Sequence, residues 1–259
     1  MTARRVVDRH GTADVTLLFT DTMMEDPDLY RFLDESSAQM GLEVTTIADG
    51  RSPWEVFIDV RFLGNTRADP CSRILKRALA KKWLEDNCDP EDTVVYLGFS
   101  WDEGHRADRA RGVWESIGWQ IETPLCEPPY IHRDRSSILA TFREAGLEPP
   151  RLYTMGFPHN NCGGFCVKAG QAHFELLLRK LPEIYRWHEE AEDFIRVYLD
   201  KDVAVLRDRR GGQTKPLTLR TFRETIEAGQ CFDRNEWGGC GCFAPMQGDL
   251  FSAPGPQEV

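Results

Sequence analysis

Two pairs of cysteines are the residues of this chain best suited to chemistry. Cys162 and Cys166 lie in a glycine-rich segment before a long predicted helix, and Cys240 and Cys242 form a second glycine-flanked pair. Glycine permits the sharp backbone bends that point paired thiols at one place, as a metal ion or an iron–sulfur cluster requires. The pairs therefore predict a cysteine-ligated metal centre. The alternative is a set of buried structural thiols, since free cysteine is often buried.

Cys71 is a further candidate ligand because of its place at a predicted helix start. Asp69 and Pro70 precede it, so Cys71 is expected in the first helical turn, where the helix dipole stabilises a thiolate. Arg73 and Lys76 add positive charge nearby. The alternative is a cysteine that lies in the capping region of the helix and binds no metal. The remaining cysteines lack such surroundings and are expected to be structural: Cys88, Cys126 and Cys231.

A polar segment follows the strand predicted at 93–98. It carries two carboxylates and a guanidinium, on Asp102, Glu103 and Arg106. The carboxylates are candidates to hold Mg²⁺ or to orient a substrate. The alternative is the ordinary enrichment of acidic residues at a helix N-terminus.

Short apolar strands alternate with amphipathic helices through the first part of the chain. Strands are predicted at 15–20, 43–47, 93–98 and 119–123, and helices at 3–9, 27–40, 71–87 and 102–117. This alternation is typical of a doubly wound parallel sheet with helices on both faces. Ligands of such sheets bind beyond the carboxyl ends of the strands.

The second part of the chain is predicted to be mostly helical. A helical stretch at 171–199 should break at Pro182, and a short strand at 203–207 and a helix at 218–228 follow. The pattern divides the chain into an α/β domain at 1–155, a cysteine-bearing helical region at 156–243 and a disordered tail at 244–259.

Composition limits the class of protein. The 259 residues carry a net charge of −10, which argues against nonspecific binding of duplex nucleic acid over a broad face. No apolar run approaches the roughly 20 residues of a membrane span, and no signal peptide is recognisable. The eight cysteines are therefore expected to be reduced or metal-bound in the cytoplasm.

Several of these segments, in their order along the chain, resemble a known family. The segments 17–22, 71–76 and 97–103, together with Arg106 and the late cysteine pair, look like the phosphoadenosine-phosphosulfate reductase branch of the adenine nucleotide alpha-hydrolase superfamily. The segment 160–169 and the terminal Cys-Gly-Cys-Phe are similar to phage and bacterial members of that branch. The resemblance covers roughly residues 3 to 243.

The resemblance implies an adenine nucleotide in the cleft of the sheet. Thr20, Asp21 and Thr22 would lie near the adenosine. A second set would lie near phosphate or sulfate: Gly98, Asp102, Glu103 and Arg106. It also implies a [4Fe–4S] cluster held by Cys71, Cys162, Cys166 and one of the terminal pair, with zinc as the alternative metal.

The chain departs from the family in three places. Ser72 stands where cluster-bearing relatives have a second cysteine, and the later pair is spaced C-x3-C instead of C-x2-C. The first strand and the SGGKDS-type pyrophosphate loop, which precede the first helix in the family, would fall upstream of Met1. Without that loop, reaction at the α-phosphate lacks its main charge stabiliser.

Two functional classes follow, and the catalytic residues are not identified. The first is an enzyme of adenine-nucleotide-dependent sulfur transfer or sulfonucleotide reduction, with a nucleic acid or protein as sulfur acceptor. The second is a non-catalytic nucleotide- or partner-binding protein that keeps the fold and the metal site. A zinc-stabilised nucleic-acid-binding module needs the same cysteines, but the acidic composition counts against it.

Overall fold

The computed structural model describes residues 1–65, 68–128 and 134–239, which form a mixed α/β fold. The first part contains α1 (Thr2–His10), β1 (Leu17–Asp21), α2 (Pro27–Met40), β2 (Val44–Ala48), α3 (Pro53–Asp59), α4 (Pro70–Ser72), α5 (Leu79–Asn87), β3 (Val94–Tyr96), α6 (Gly104–Glu115) and β4 (Gln120–Glu122). The second contains α7 (Arg135–Glu144), α8 (Arg151–Thr154), α9 (Gln171–Lys180), α10 (Pro182–Leu199), β5 (Leu206–Asp208), β6 (Lys215–Leu217) and α11 (Leu219–Glu227).

In these described parts the strands form three two-stranded sheets. β1 pairs with β2 in parallel, with Leu17 opposite Val44, and β3 pairs with β4 in parallel, with Val95 opposite Ile121. β5 and β6 form an antiparallel pair. The mixed α/β class is thus confirmed, whereas a single doubly wound sheet stays a prediction.

The predicted helices and strands of the first part are present, with boundaries that differ by a few residues. The predicted break at Pro182 is confirmed, because α9 ends at Lys180 and α10 begins at Pro182. The sequence analysis did not predict α3, α7, α8 or β6. The predicted tail at 244–259 lies outside the described residues, and the proposed domain division stays a prediction.

The main core joins α3, the cysteine-bearing segment after α8, and the C-terminal helices. Trp54 of α3 donates its indole N–H to Nδ1 of His188 at 3.0 Å, and the His188 ring stacks on Phe165 with centroids 3.8 Å apart. His188 is buried, and burial lowers its pKa to about 3. The ring therefore stays neutral and can accept the indole hydrogen bond, which fixes the segment around Phe165 against α10.

Glu192 of α10 ties β5 and α11 to the core. Its two carboxylate oxygens accept the backbone N–H groups of Val205 at 2.8 Å and Leu219 at 2.6 Å. The side chain is fully buried, and burial raises its pKa to about 7. A buried carboxyl is tolerated here because both oxygens are hydrogen-bonded, and the charge of Arg196 also favours its ionised form.

None of the described helices combines the length and the apolar character needed to cross a membrane.

Glu192 should make stability depend on pH in a predictable direction. The unfolded chain loses this proton near the ordinary pKa and the folded chain only near pH 7, so the folded state is disfavoured as pH rises between them. The stability advantage of the wild type over Glu192→Gln, measured by urea unfolding, should shrink across this range by up to about 1.4 kcal/mol per pH unit. Glu190 is exposed on the same helix, so the difference in unfolding free energy between the wild type and Glu190→Gln should not change with pH in this way. A difference between wild type and Glu192→Gln that stays constant from pH 4 to 8 would contradict this assignment.

Candidate metal and nucleotide site

The loop after β1 is held by its own acidic side chains. Asp21 is buried and accepts hydrogen bonds from the Tyr30 hydroxyl at 3.0 Å and from the N–H of Met23 at 2.8 Å. Burial and the neighbouring Asp21 carboxylate raise the pKa of Tyr30. Thr22 is also buried and donates its hydroxyl to Glu25 at 3.0 Å. Asp21 and Thr22, which the sequence analysis predicted to lie near the nucleotide, therefore stabilise the loop after β1.

Glu25 connects three segments that are distant in the sequence. Its side chain is 2% exposed and forms an ion pair with Lys76, with Nζ and Oε1 3.3 Å apart. Its other oxygen accepts the backbone N–H of Cys162 at 2.7 Å. One carboxylate thus joins the β1 loop to the helix that follows Cys71 and to the first cysteine of the C-x3-C pair.

The backbone around Cys162 is bent in the left-handed region. Cys162 has φ 51° and Gly163 has φ 61°, and a Cβ on Gly163 would lie 3.0 Å from the carbonyl oxygen of Met24. Glycine is needed at position 163 on both grounds. A non-glycine residue with positive φ is uncommon, and Cys162 shares this conformation with Met23, Arg61 and Asp200 among the described residues.

Cys71 lies in the first turn of a helical run, as the sequence predicted. α4 passes directly into a π-helical stretch, Arg73–Ala78, and then into α5. Lys76 and Arg77 are buried on this stretch, and Arg77 donates to the Ser72 hydroxyl at 3.1 Å. Short π-helical turns are frequent at functional sites.

Cys71, Cys162 and Cys166 line one pocket. The pocket is small, with a cavity volume of about 20 Å³. Its other walls are Thr22, Met24, Pro53, Asp69, Ser72, Lys76, Phe165, Val167 and Lys168. The structure therefore brings together three cysteines that the sequence analysis selected from separate segments.

The predicted ligands Cys240 and Cys242 lie outside the described residues. The last described residue before them, Gly239, donates its N–H to the carbonyl of Lys168 at 3.1 Å, and Gly238 forms a bridge with Ala169. Lys168 itself lines the cysteine pocket. The described chain thus approaches the pocket immediately ahead of Cys240.

Within residues 1–65, 68–128 and 134–239, no three histidine, cysteine or acidic side chains form a group that could hold a single metal ion. An iron–sulfur cluster makes a different demand, because its cysteines bind different iron atoms and surround the cluster instead of meeting at one ion. Cys71, Cys162 and Cys166 line their pocket together with Lys76, Lys168, Asp69 and apolar side chains.

Asp102, Glu103 and Arg106, from the second set predicted to bind the nucleotide, lie at or just before the start of α6. Ser100 and Glu103 make a reciprocal capping box, and the Ser100 hydroxyl also bonds the Asp102 carboxylate at 2.5 Å. Arg106 pairs with Glu103 and lies over the Phe99 ring, 5.1 Å from its centre. Helix capping, the alternative raised from the sequence, thus accounts for the acidic pair.

The structure brings together only some of the residues predicted to bind the adenosine and the phosphate or sulfate. Thr20 and Gly98 line one large cleft, whose walls include residues of β1 and β3. Within the described residues, neither this cleft nor the cysteine pocket is lined by Asp102, Glu103 or Arg106. The structure therefore does not group these three side chains with Thr20.

The cysteines expected to be structural lie outside the cysteine pocket in the described chain. Cys126 contacts the backbone carbonyls of Phe99 and Ser100 at 3.4 and 3.2 Å, and burial raises the pKa of its thiol. Cys88 is half-buried at the end of α5, and Cys231 is exposed.

Sequence reasoning missed several residues that hold the site together. Arg151 binds the buried Asp26 carboxylate at 2.8 Å and fixes the β1 loop to α8. His173 contacts the carbonyl of Gly164 through Nε2 at 2.7 Å, and burial lowers its pKa to about 4. The His159 ring stacks on His173 with centroids 4.9 Å apart. Asp26-Pro27 is a helix-start signal, but nothing in the sequence pairs Asp26 with Arg151.

Comparison of the chain with protein-family models, with curated proteins and with solved structures finds no match.

Glu25→Gln should strongly destabilise the protein. The change breaks the buried ion pair with Lys76, and breaking such a pair typically costs about 3–5 kcal/mol. Chemical denaturation should show this loss, and the double variant Glu25→Gln, Lys76→Met should recover part of it. Glu35→Gln removes the exposed partner of Arg31 and should cost less than about 1 kcal/mol. If Glu25→Gln and Glu35→Gln lowered the free energy of unfolding equally, the buried ion pair would stabilise the fold no more than the exposed one.

Proposed function

We propose that this protein binds a cysteine-ligated iron–sulfur cluster and carries out adenine-nucleotide-dependent sulfur chemistry. The observation that supports the cluster is the meeting of Cys71, Cys162 and Cys166 at one pocket. The fourth ligand is Cys240 or Cys242. Cys240 is joined directly to Gly239, which is hydrogen-bonded to Lys168 at the pocket wall.

The surroundings of the pocket suit a cluster with thiolate ligands. Lys76 and Lys168 line the pocket with the cysteines, and each forms an ion pair with an acidic side chain, Glu25 and Asp69 respectively. Met24, Phe165 and Val167 limit the access of water, and solvent exposure is one of the factors that set the potential of a cluster. The cluster would supply electron transfer or hold sulfur. The chain's own residues bind it, and they position it beside the loop after β1.

The nucleotide part of the proposal rests on the position of Thr20 and Gly98. Both line the same cleft, and each lies at or just beyond the carboxyl end of a parallel strand. That is where an α/β sheet binds its ligand, and we take the two parallel pairs as parts of one doubly wound sheet. The proposal includes a cytoplasmic location and a nucleic acid or protein as the sulfur acceptor.

The second candidate is a non-catalytic binding protein that keeps the cluster. The observation that favours it is the capping arrangement of Asp102, Glu103 and Arg106. Glu103 pairs with Arg106 and forms a capping box with Ser100 at the turn before α6, and Asp102 accepts the Ser100 hydroxyl. None of the three lines the cleft in the described structure. In this alternative the cluster is structural, and any nucleotide binds weakly.

Anaerobically purified protein should contain about four irons and as much acid-labile sulfide per chain, with a broad absorbance near ~400 nm. Cys71→Ser, Cys162→Ser and Cys166→Ser should each lose most of this iron, because each removes one ligand.

The matched controls are Cys88→Ser and Cys126→Ser, which should keep the iron content of the wild type. Stoichiometric zinc without sulfide would contradict the cluster and support the zinc alternative. Iron retained by Cys162→Ser but lost from Cys126→Ser would contradict the ligand assignment.

Nucleotide binding separates the two candidates. Arg106 does not line the cleft, but the resemblance puts it near the phosphate or sulfate of the nucleotide. In the enzyme, Arg106→Ala should therefore weaken binding of ATP or phosphoadenosine phosphosulfate roughly 10- to 150-fold, the equivalent of one hydrogen bond to a charged group. Calorimetry can measure this, with Arg179→Ala as control because Arg179 pairs with Glu175 on α9. Unchanged binding by Arg106→Ala would favour the non-catalytic candidate.

A further inference from the structure

The outer side of α10 carries large apolar residues. Trp187 is 51% exposed, Phe194 60%, Val197 82% and Tyr198 42%. The opposite side of the same helix lies in the core, where Ile195 is fully buried. A surface helix normally presents charged and polar residues to water on its outer side. We call the four exposed residues the aromatic face of α10, and an exposed apolar surface of this kind marks an interaction site.

The rings of the aromatic face are held in place within the single chain. Phe194 stacks on Tyr198, with ring centroids 6.4 Å apart and planes 10° from parallel. Trp187 packs edge-on against the buried His188 ring at 4.8 Å, and the Arg61 guanidinium lies 5.2 Å from the centre of the Tyr198 ring. Rings that are already ordered lose little conformational freedom on binding, so they suit the centre of an interface.

The spacing of residues along the aromatic face fits a second copy of the same helix. Trp187, Ala191, Phe194 and Tyr198 follow one another at intervals of 4, 3 and 4 residues, the spacing of the contact positions in a coiled coil. These intervals are the same when read from either end. An antiparallel copy of α10 therefore places Trp187 opposite Tyr198, and the small Ala191 opposite the large Phe194.

The charges at the two ends of α10 fit the same arrangement. Glu183 lies in the first turn of the helix, Lys201 lies two residues past its end, and both are exposed. The antiparallel register brings Glu183 level with Lys201 of the second copy, and two-fold symmetry makes this pair twice. A parallel register would instead bring Glu183 beside Glu183 of the second copy.

The area of the aromatic face is sufficient for a dimer. An aromatic side chain carries about 150–250 Å² of surface, so the exposed parts of the three rings and of Val197 amount to roughly 400 Å² per copy. Two copies bring together roughly 800 Å² of apolar area, and about 65% of a homodimer interface is apolar. The whole interface would then bury roughly 1,200 Å², which is the lower end of the range for stable complexes.

We propose that the aromatic face is a dimer interface, at which a second copy of this chain packs its α10 antiparallel to the first across a two-fold axis. The axis passes beside the middle of the helix, between Ala191 and Phe194. The inferred dimer rests on α10 alone and is independent of the iron–sulfur cluster and of the nucleotide.

Sedimentation equilibrium of the full chain tests this inference. The wild type should be a mixture of monomer and dimer at roughly 1–100 µM, as expected for an interface at the lower end of the size range. Phe194→Glu should weaken the dimer about 100-fold or more, because the two-fold axis removes the ring from the interface twice. Phe194 is exposed in the single chain, so this variant should keep its fold, which circular dichroism can check.

Trp101→Glu is the matched control. Trp101 is also exposed, but it lies in the turn before α6, so this variant should dimerise as the wild type does. A wild type that stays monomeric at about 100 µM, or a dimer that Phe194→Glu leaves equally tight, would overturn the inference. If the wild type is monomeric and Phe194→Glu speeds proteolysis after Gly239, the occupant of the aromatic face is the C-terminal segment of the same chain.

Reversal of the end charges tests the antiparallel register. Glu183→Lys and Lys201→Glu should each weaken the dimer roughly 3- to 30-fold, because each removes two ion pairs. The double variant should recover the dissociation constant of the wild type, since the two charges then exchange places. A double variant that dimerises no more tightly than the single variants would contradict the antiparallel arrangement.

Discussion

The buried ion pair between Glu25 and Lys76 is the interaction on which the cysteine pocket depends. The side chains are 2% and 10% exposed, so both charges have been removed from water at a cost of several kcal/mol each. That cost is offset only when the remaining hydrogen-bonding capacity is used. Thr22 and the backbone N–H of Cys162 complete the coordination of Glu25. The loop after β1, the helical run after Cys71 and the turn at Cys162 are therefore fixed relative to one another by one carboxylate.

Local strain is concentrated where these segments meet. Cys162 has a positive φ, and the helix after Cys71 contains a π-helical turn with two buried cations. Such conformations cost free energy and persist only where the surrounding structure holds them in place. Here the Glu25 hydrogen bonds hold Cys162, and the stack of Phe165 on His188 holds the next residues of the loop. The same contacts keep Cys162 and Cys166 on the pocket wall.

The sequence predicted what short-range patterns determine. Apolar periodicity identified the strands of the first part and its helices other than α3, and Pro182 marked the break between α9 and α10. Glycine neighbours and a helix-start signal selected Cys71, Cys162 and Cys166, which the fold places around one pocket. The missed features depend on contacts between distant segments. Glu25 is an ordinary loop acid in the sequence, and only the fold brings Lys76 and Cys162 to it. Glu192 likewise gains its role from β5 and α11.

X-ray absorption at the iron edge of the anaerobically purified protein tests the central claim, that the three cysteines surround one iron–sulfur cluster. The account predicts a first coordination shell of sulfur atoms and a second shell of iron neighbours, with both shells reduced in Cys162→Ser. Iron with only oxygen or nitrogen in its first shell, or no iron bound at all, would contradict it.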